Sequence, residues 1–96
     1  MMVLVSYDVS TTTPEGRRRL RRVAKVCEDY GLRVQNSVFE CVVEPDHWTR
    51  LRHQLLAELE PKEDSLRFYF LGSNWQGRIE HHGAKASPSV LDPLIV

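Results

Sequence analysis

Cysteine is scarce in this sequence, with two, Cys27 and Cys41, among 96 residues. They form no C-x-x-C pair, which removes the zinc knuckle and the dithiol redox motif from consideration. Cys27 falls on an apolar helical stripe and Cys41 in a strand-like run, so both read as small core hydrophobes. No apolar run approaches the ~20 residues that a membrane-spanning helix needs. No basic segment precedes an apolar stretch near Met1, so no signal peptide is read and a cytoplasmic location, away from membranes, is expected. P-loop, G-x-S-x-G and H-E-x-x-H patterns are all missing. Internal repeats and low-complexity tracts are missing as well. There is no excess charge of either sign: 13 basic and 13 acidic residues give a net charge of zero. That excludes a protein that coats nucleic acid with its whole surface.

The charges that are present are segregated. Between Glu15 and Lys25 lie six basic residues and one acid; between Glu44 and Asp64 lie six acids and three basic residues. Such a dipolar chain is able to bind a polyanion with one face only. The length fits one domain with a single core, of a size that gains stability from dimerisation.

Residues 2 to 9 are a run of β-formers and predict a first strand. In "STTTPEG", Thr13 suits an N-cap, Pro14 the first helical position and Glu15 the positive end of the helix dipole. Leu20, Val23, Ala24, Cys27 and Tyr30 recur at helical spacing, which predicts a helix from Pro14 to about Tyr30 ended by Gly31. "LRVQNSVFECVVE" predicts extended structure with a tight turn near Asn36-Ser37. Phe39, Cys41 and Val43 share one face of it; Val38, Glu40 and Val42 share the other. Pro45-Asp46 opens a second helix, with Asp46 as the expected N-cap. Trp48, Leu51, Leu55 and Leu59 form its apolar stripe, and Pro61 stops it. "SLRFYFLG" reads as a strand closed by Gly72, "SNWQG" as a loop, and "RIEHHG" as a short edge strand. The order gives an α+β, ferredoxin-like βαββαβ sandwich: an antiparallel sheet with two helices on one face. The domain is expected over residues 1–82, with a linker and terminal strand over 83–96. The trailing "PLIV" has little core left to join and suits addition to a sheet edge, including that of a second copy.

Three places invite chemistry. Asp8 ends an apolar strand, where a carboxylate is rare without a partner. Two readings stand side by side: an Asx turn onto the following backbone, or a metal ligand or general acid/base. One carboxylate is too little for Mg²⁺, and no nearby D-x-D or E-x-D supplies another. A metal at Asp8 therefore requires a second copy of Asp8 across a twofold axis, hence a homodimer. The second place is "GRRRLRRVAK". Arg18, Arg22 and Lys25 lie close to one helical face, with Arg17 and Arg21 beside them. A solvated face partly paired with Glu28 and Asp29 is one account. Bidentate contact with phosphate is the other, and the density of arginine favours it. The third is "EHH", Glu80 to His82, but neighbouring strand residues face opposite ways, which disfavours zinc. His47 and His53 read as surface residues of the second helix, and Trp75 as a packing or interface residue rather than a catalytic one.

"YDVS" closing the first strand, the arginine-rich helix ending "KVCEDYG" and "RVQNSVFEC" directly after it resemble the CRISPR-associated protein 2 family. The resemblance runs from end to end and includes "HHGAK" and "DPLIV". It implies a ferredoxin-like homodimer whose C-terminal segment crosses to the partner's sheet. It implies that Asp8 faces its symmetry mate and shares a divalent metal, Mg²⁺ or alternatively Mn²⁺, for phosphodiester hydrolysis. Single-stranded RNA and double-stranded DNA are the implied substrates. A role without cleavage is implied too, in which the dimer bridges dimers of the CRISPR-associated protein 1 integrase and supports the spacer duplex during acquisition. Carried over by position, Asp8 is the catalytic and metal residue and Tyr7 precedes it in the motif. Arg33, Ser37 and Phe39 match the second motif near the active groove. Arg18 and Arg22 are the expected backbone contacts, joined by Arg33 and Ser37 as nucleic-acid-binding positions.

Overall fold

The computed structural model describes residues 1–83. Its elements run β1 (Met2–Asp8), α1 (Pro14–Tyr30), β2 (Leu32–Gln35), β3 (Val38–Val42), α2 (Pro45–Glu58) and β4 (Ser65–Gly72), followed by a single 3₁₀ turn over Gln76–Arg78. The four strands form one antiparallel sheet in the order β2-β3-β1-β4. This is the ferredoxin-like arrangement expected from the element order. The expected C-terminal strand and its crossing to a partner lie outside the described residues.

One face of the sheet carries the core. Register places Val3 against Cys41 and Phe70, Val5 against Phe39 and Phe68, and Tyr7 against Leu66. Directly opposed residues point to the same side of a sheet, so these side chains share one face. Val23 and Cys27 of α1 and Leu51 and Leu55 of α2 pack onto it in a single buried cluster. Trp48 closes the end of that cluster with edge-to-face contacts to Phe68 and Phe70, at 4.8 and 5.4 Å between ring centroids. Both cysteines are fully buried, and burial pushes each thiol up to about 12. They are inert core residues, as their positions predicted.

The opposite face carries Leu4, Ser6 and Asp8 of β1, Val38 and Glu40 of β3, and Ser65, Arg67 and Tyr69 of β4. No helix of the described residues covers it.

Helix α1 begins and ends where its signals placed it. Thr13 Oγ1 accepts from the Gly16 N–H at 3.0 Å, and Pro14 takes the first turn. Gly31 ends the helix for a different reason from the one expected. Its backbone is extended, with φ of −162°, so no left-handed conformation is needed. A Cβ there would instead collide with the Glu40 carbonyl oxygen and stand 2.6 Å from Cys41 Sγ. The glycine gives the helix end room to lie against β3.

Two other expectations are corrected. Glu44, not Asp46, is the N-cap of α2, and it makes no side-chain cap bond. Pro45 occupies the first turn, which moves the cap to the residue before it; Asp46 instead faces Arg50 at 3.6 Å. "RIEHHG" is not a strand. Arg78 closes the 3₁₀ turn by donating to the Trp75 carbonyl at 2.9 Å, and the residues that follow find no ladder partner among the described residues.

Candidate active cleft and arginine groove

Asp8 is the last residue of β1 and pairs in register with Ser65. Its alternation with Tyr7 points it away from the helices, and it is exposed. Its carboxylate makes no hydrogen bond or ion pair among the described residues. The Asx-turn reading would have had Asp8 accept from the Ser10 N–H. That N–H donates instead to Asp64 Oδ1 at 3.0 Å.

Asp64 is the residue that the sequence reading overlooked. It sits just before β4 with its side chain 1% exposed. Besides Ser10, it accepts from the Glu60 N–H at 3.0 Å and from Arg19 Nε at 2.8 Å. Burial alone would raise its pKa; the Arg19 hydrogen bond, with those from Glu60 and Ser10, outweighs burial and holds the carboxyl below its ordinary value. Asp64 thus ties the loop after Asp8 to the start of β4. Thr13 capping and an Arg17 bond to the Thr11 carbonyl, 3.1 Å, hold the same loop from the helix side. Gly16 lets it pass close over the helix, because a Cβ there would collide with the Ser10 carbonyl.

Asp8, Ser65, Arg67, Tyr69 and Asp64 line a cleft of about 470 Å³. No group of three or more His, Cys, Asp or Glu side chains able to hold a metal occurs among the described residues. Asp64 is committed to its own partners. Asp8 is therefore the one uncommitted carboxylate among the described residues of the cleft, an oxygen donor of the kind Mg²⁺ takes.

The arginines do not form one surface. Arg18 and Arg22, with Arg21 and Lys25, line a second groove of about 380 Å³ on α1 beside Glu58. Lys25 is held by Asp29 at 2.8 Å, whereas the ion pairs of the arginines are long, Arg18 to Glu15 at 3.7 Å and Arg22 to Glu58 at 3.9 Å. Such pairs are weak and leave the guanidinium groups open to an anion. Arg19 turns inward to Asp64 and Glu63 and does not belong to that surface.

Arg33 lies on the helix side of the sheet, opposite Phe39 in register, with its guanidinium 5.0 Å from the Phe39 ring and 3.6 Å from Glu28. Phe39 is fully buried and Tyr7 nearly so. Burial raises the Tyr7 phenol, partly offset by its hydrogen bond with Arg33. Ser37 contributes its backbone carbonyl, which accepts from the Tyr7 N–H at 3.1 Å. Tyr7 and Asp8 both border the cleft, but Arg33, Ser37 and Phe39 do not line it. Arg67 does, and no motif pointed to it.

The family model described as "CRISPR associated protein Cas2" matches residues 1–79. The chain is 65% identical over 96 residues to the CRISPR-associated endoribonuclease Cas2 of Chlorobaculum tepidum, covering 100% of both chains. It is 57% identical to that of Nitratidesulfovibrio vulgaris, covering 100% of this chain and 94% of the relative. The crystal structure of Streptococcus pyogenes Cas2 at pH 6.5 superposes with a TM-score of 0.75 at 60% identity, covering 86% of this chain and 100% of that one. Sequence and fold agree: the chain belongs to the CRISPR-associated protein Cas2 family.

Proposed function

We propose that the protein is a divalent-metal-dependent nuclease that hydrolyses phosphodiester bonds at Asp8, working as a homodimer in CRISPR immunity. The observation that carries this reading is the exposed, uncommitted Asp8 carboxylate at the mouth of a cleft that also holds a guanidinium group. The relatives' names support it: endoribonuclease in Chlorobaculum tepidum and endonuclease in Halalkalibacterium halodurans. The substrate is single-stranded RNA or double-stranded DNA.

Asp8 from each of two copies would hold the cation, Mg²⁺ or Mn²⁺, since one chain offers one free carboxylate. When bound, the cation supplies positive charge that polarises a phosphoryl oxygen and acidifies water. Hydrolysis joins a water oxygen to phosphorus and breaks a backbone P–O bond, and the departing oxygen takes up a proton. The protein's part is placement. The Asp64 clamp holds the backbone that follows Asp8, and the sheet holds Asp8 itself.

The second reading is a scaffold that bridges dimers of the CRISPR-associated protein 1 integrase and supports the spacer duplex. It is favoured by the separation of the arginine groove from the Asp8 cleft, which allows backbone contact without Asp8. One experiment divides the two. Labelled duplex DNA and single-stranded RNA are incubated with parent and Asp8→Asn, with Mg²⁺ and with chelator. The nuclease reading expects metal-dependent cleavage that falls at least ~100-fold in the variant, the scale on which a transition-state contact acts. Equal cleavage by both proteins would sink it. Equal, salt-sensitive duplex binding with no cleavage by either leaves the scaffold.

A further inference from the structure

On β4, Arg67 lies between Ser65 and Tyr69 on the sheet face that carries Ser6 and Asp8. Arg67 is exposed and forms no ion pair among the described residues. Its guanidinium is held by a neutral group instead. Nη1 donates to Tyr69 Oη at 3.0 Å, and Cζ stands 5.9 Å from the Tyr69 ring centroid. A guanidinium has five N–H donors in a fixed fork, so one bond to a phenol leaves the rest for an anion. Both side chains line the Asp8 cleft.

Every other arginine weighed for phosphate contact lies elsewhere. Arg18 and Arg22 line the groove on α1, and Arg33 faces the helices beside Glu28. A cation without a carboxylate, oriented by a hydroxyl and set beside a free acid, is built for a ligand that brings its own negative charge. The fork matches the oxygens of a phosphodiester.

We infer that Arg67 binds the phosphoryl group of the nucleic-acid substrate in the Asp8 cleft, with Tyr69 as the positioning residue that orients its fork. The inference rests on reading that cleft as the site of phosphodiester chemistry, and it adds the cationic partner that Asp8 lacks.

The full-length protein is tested as parent, Arg67→Gln, Arg67→Lys and Tyr69→Phe, with Arg52→Gln on the exposed side of α2 as a control for lost charge. Cleavage of labelled single-stranded RNA with Mg²⁺ gives kcat and KM. Titration with the dinucleotide uridylyl-uridine, without metal, follows the Arg67 Nε–H signal by NMR. We expect Arg67→Gln to lower kcat about 100-fold, the scale for removing one donor to a developing charge. Arg67→Lys recovers part of that loss, because it restores charge but not the fork. Tyr69→Phe lowers kcat by a smaller factor with KM little changed, and Arg52→Gln behaves as parent. In the parent the Arg67 signal shifts on adding the dinucleotide.

Parent-like kcat, KM and dinucleotide affinity in Arg67→Gln would overturn the inference. So would equal losses in Arg67→Gln and Arg52→Gln, which would reduce the effect to net charge. If the parent does not cleave, the titration still decides. A shift at Arg67 in the parent, together with dinucleotide affinity that Arg67→Gln weakens, keeps the phosphate site and discards only the hydrolytic reading. An unmoved Arg67 signal removes the site.

Discussion

Asp64 anchors the loop that follows Asp8. Its carboxylate gathers the Ser10 and Glu60 N–H groups and the Arg19 guanidinium. The pair with Arg19 spans 45 residues of sequence. Local pattern reading has no access to such a contact, and Arg19 looked like one more member of a basic surface. Against burial, the Asp64 carboxyl is held below its ordinary value by Arg19 and the two N–H groups, so its contribution to stability is present above the ordinary carboxylate value of about 4 and is lost as pH falls through the folded value. Asp64→Asn should therefore melt several degrees below the parent at neutral pH, with the gap closing as pH falls below the ordinary carboxylate range. Thermal unfolding by circular dichroism across that range checks it; a gap that stays constant would deny the ion pair its role. Asp8 itself was legible as an oddity, because an acid at the end of a buried strand is conspicuous. Its freedom from an Asx turn was not, because that depended on where the Ser10 N–H went.

Among the elements, α1 was the most readable. Its cap, its proline and its apolar stripe are all local, and its bounds came out as expected. The hairpin of β2 and β3 was readable from a turn between two β-rich runs. What escaped was whatever depends on pairing. Alternation within "SLRFYFLG" separates Leu66, Phe68 and Phe70 from Arg67 and Tyr69, but only register puts Arg67 on the face of Asp8. The same register sets Arg33 opposite Phe39, on the other face from the cleft. Register also places Glu40 between Leu4 and Leu32 on the uncovered face. Burial raises its carboxyl, even though no helix lies over it. A raised carboxylate costs folded-state stability once pH climbs past its unfolded value of about 4.3 and through its folded one. Glu40→Gln should be the more stable protein at neutral pH and lose that advantage at about pH 4 and below. Melting temperatures at the two pH values read this directly; a less stable variant at neutral pH would mean that the carboxylate has found a cation.

On the scale of the whole molecule, the proposed function assigns nucleic acid two separate features: a cleft with Asp8 and Arg67, and a groove of arginines on α1. The separation explains how a chain of zero net charge still offers a polyanion a strongly basic surface. Under the proposed function, binding and cutting are then separable by mutation. No helix among the described residues is long and apolar enough to cross a membrane. The lone free carboxylate in the cleft has a further consequence, one of kinetic order. If catalysis needs two copies of Asp8, dilution below the dissociation constant of the dimer leaves each chain with half a centre. Rate per chain should then rise in proportion to protein concentration before reaching a plateau. Mixing parent with excess Asp8→Asn should poison the parent by pairing with it, and metal titration should saturate at one ion for every two chains.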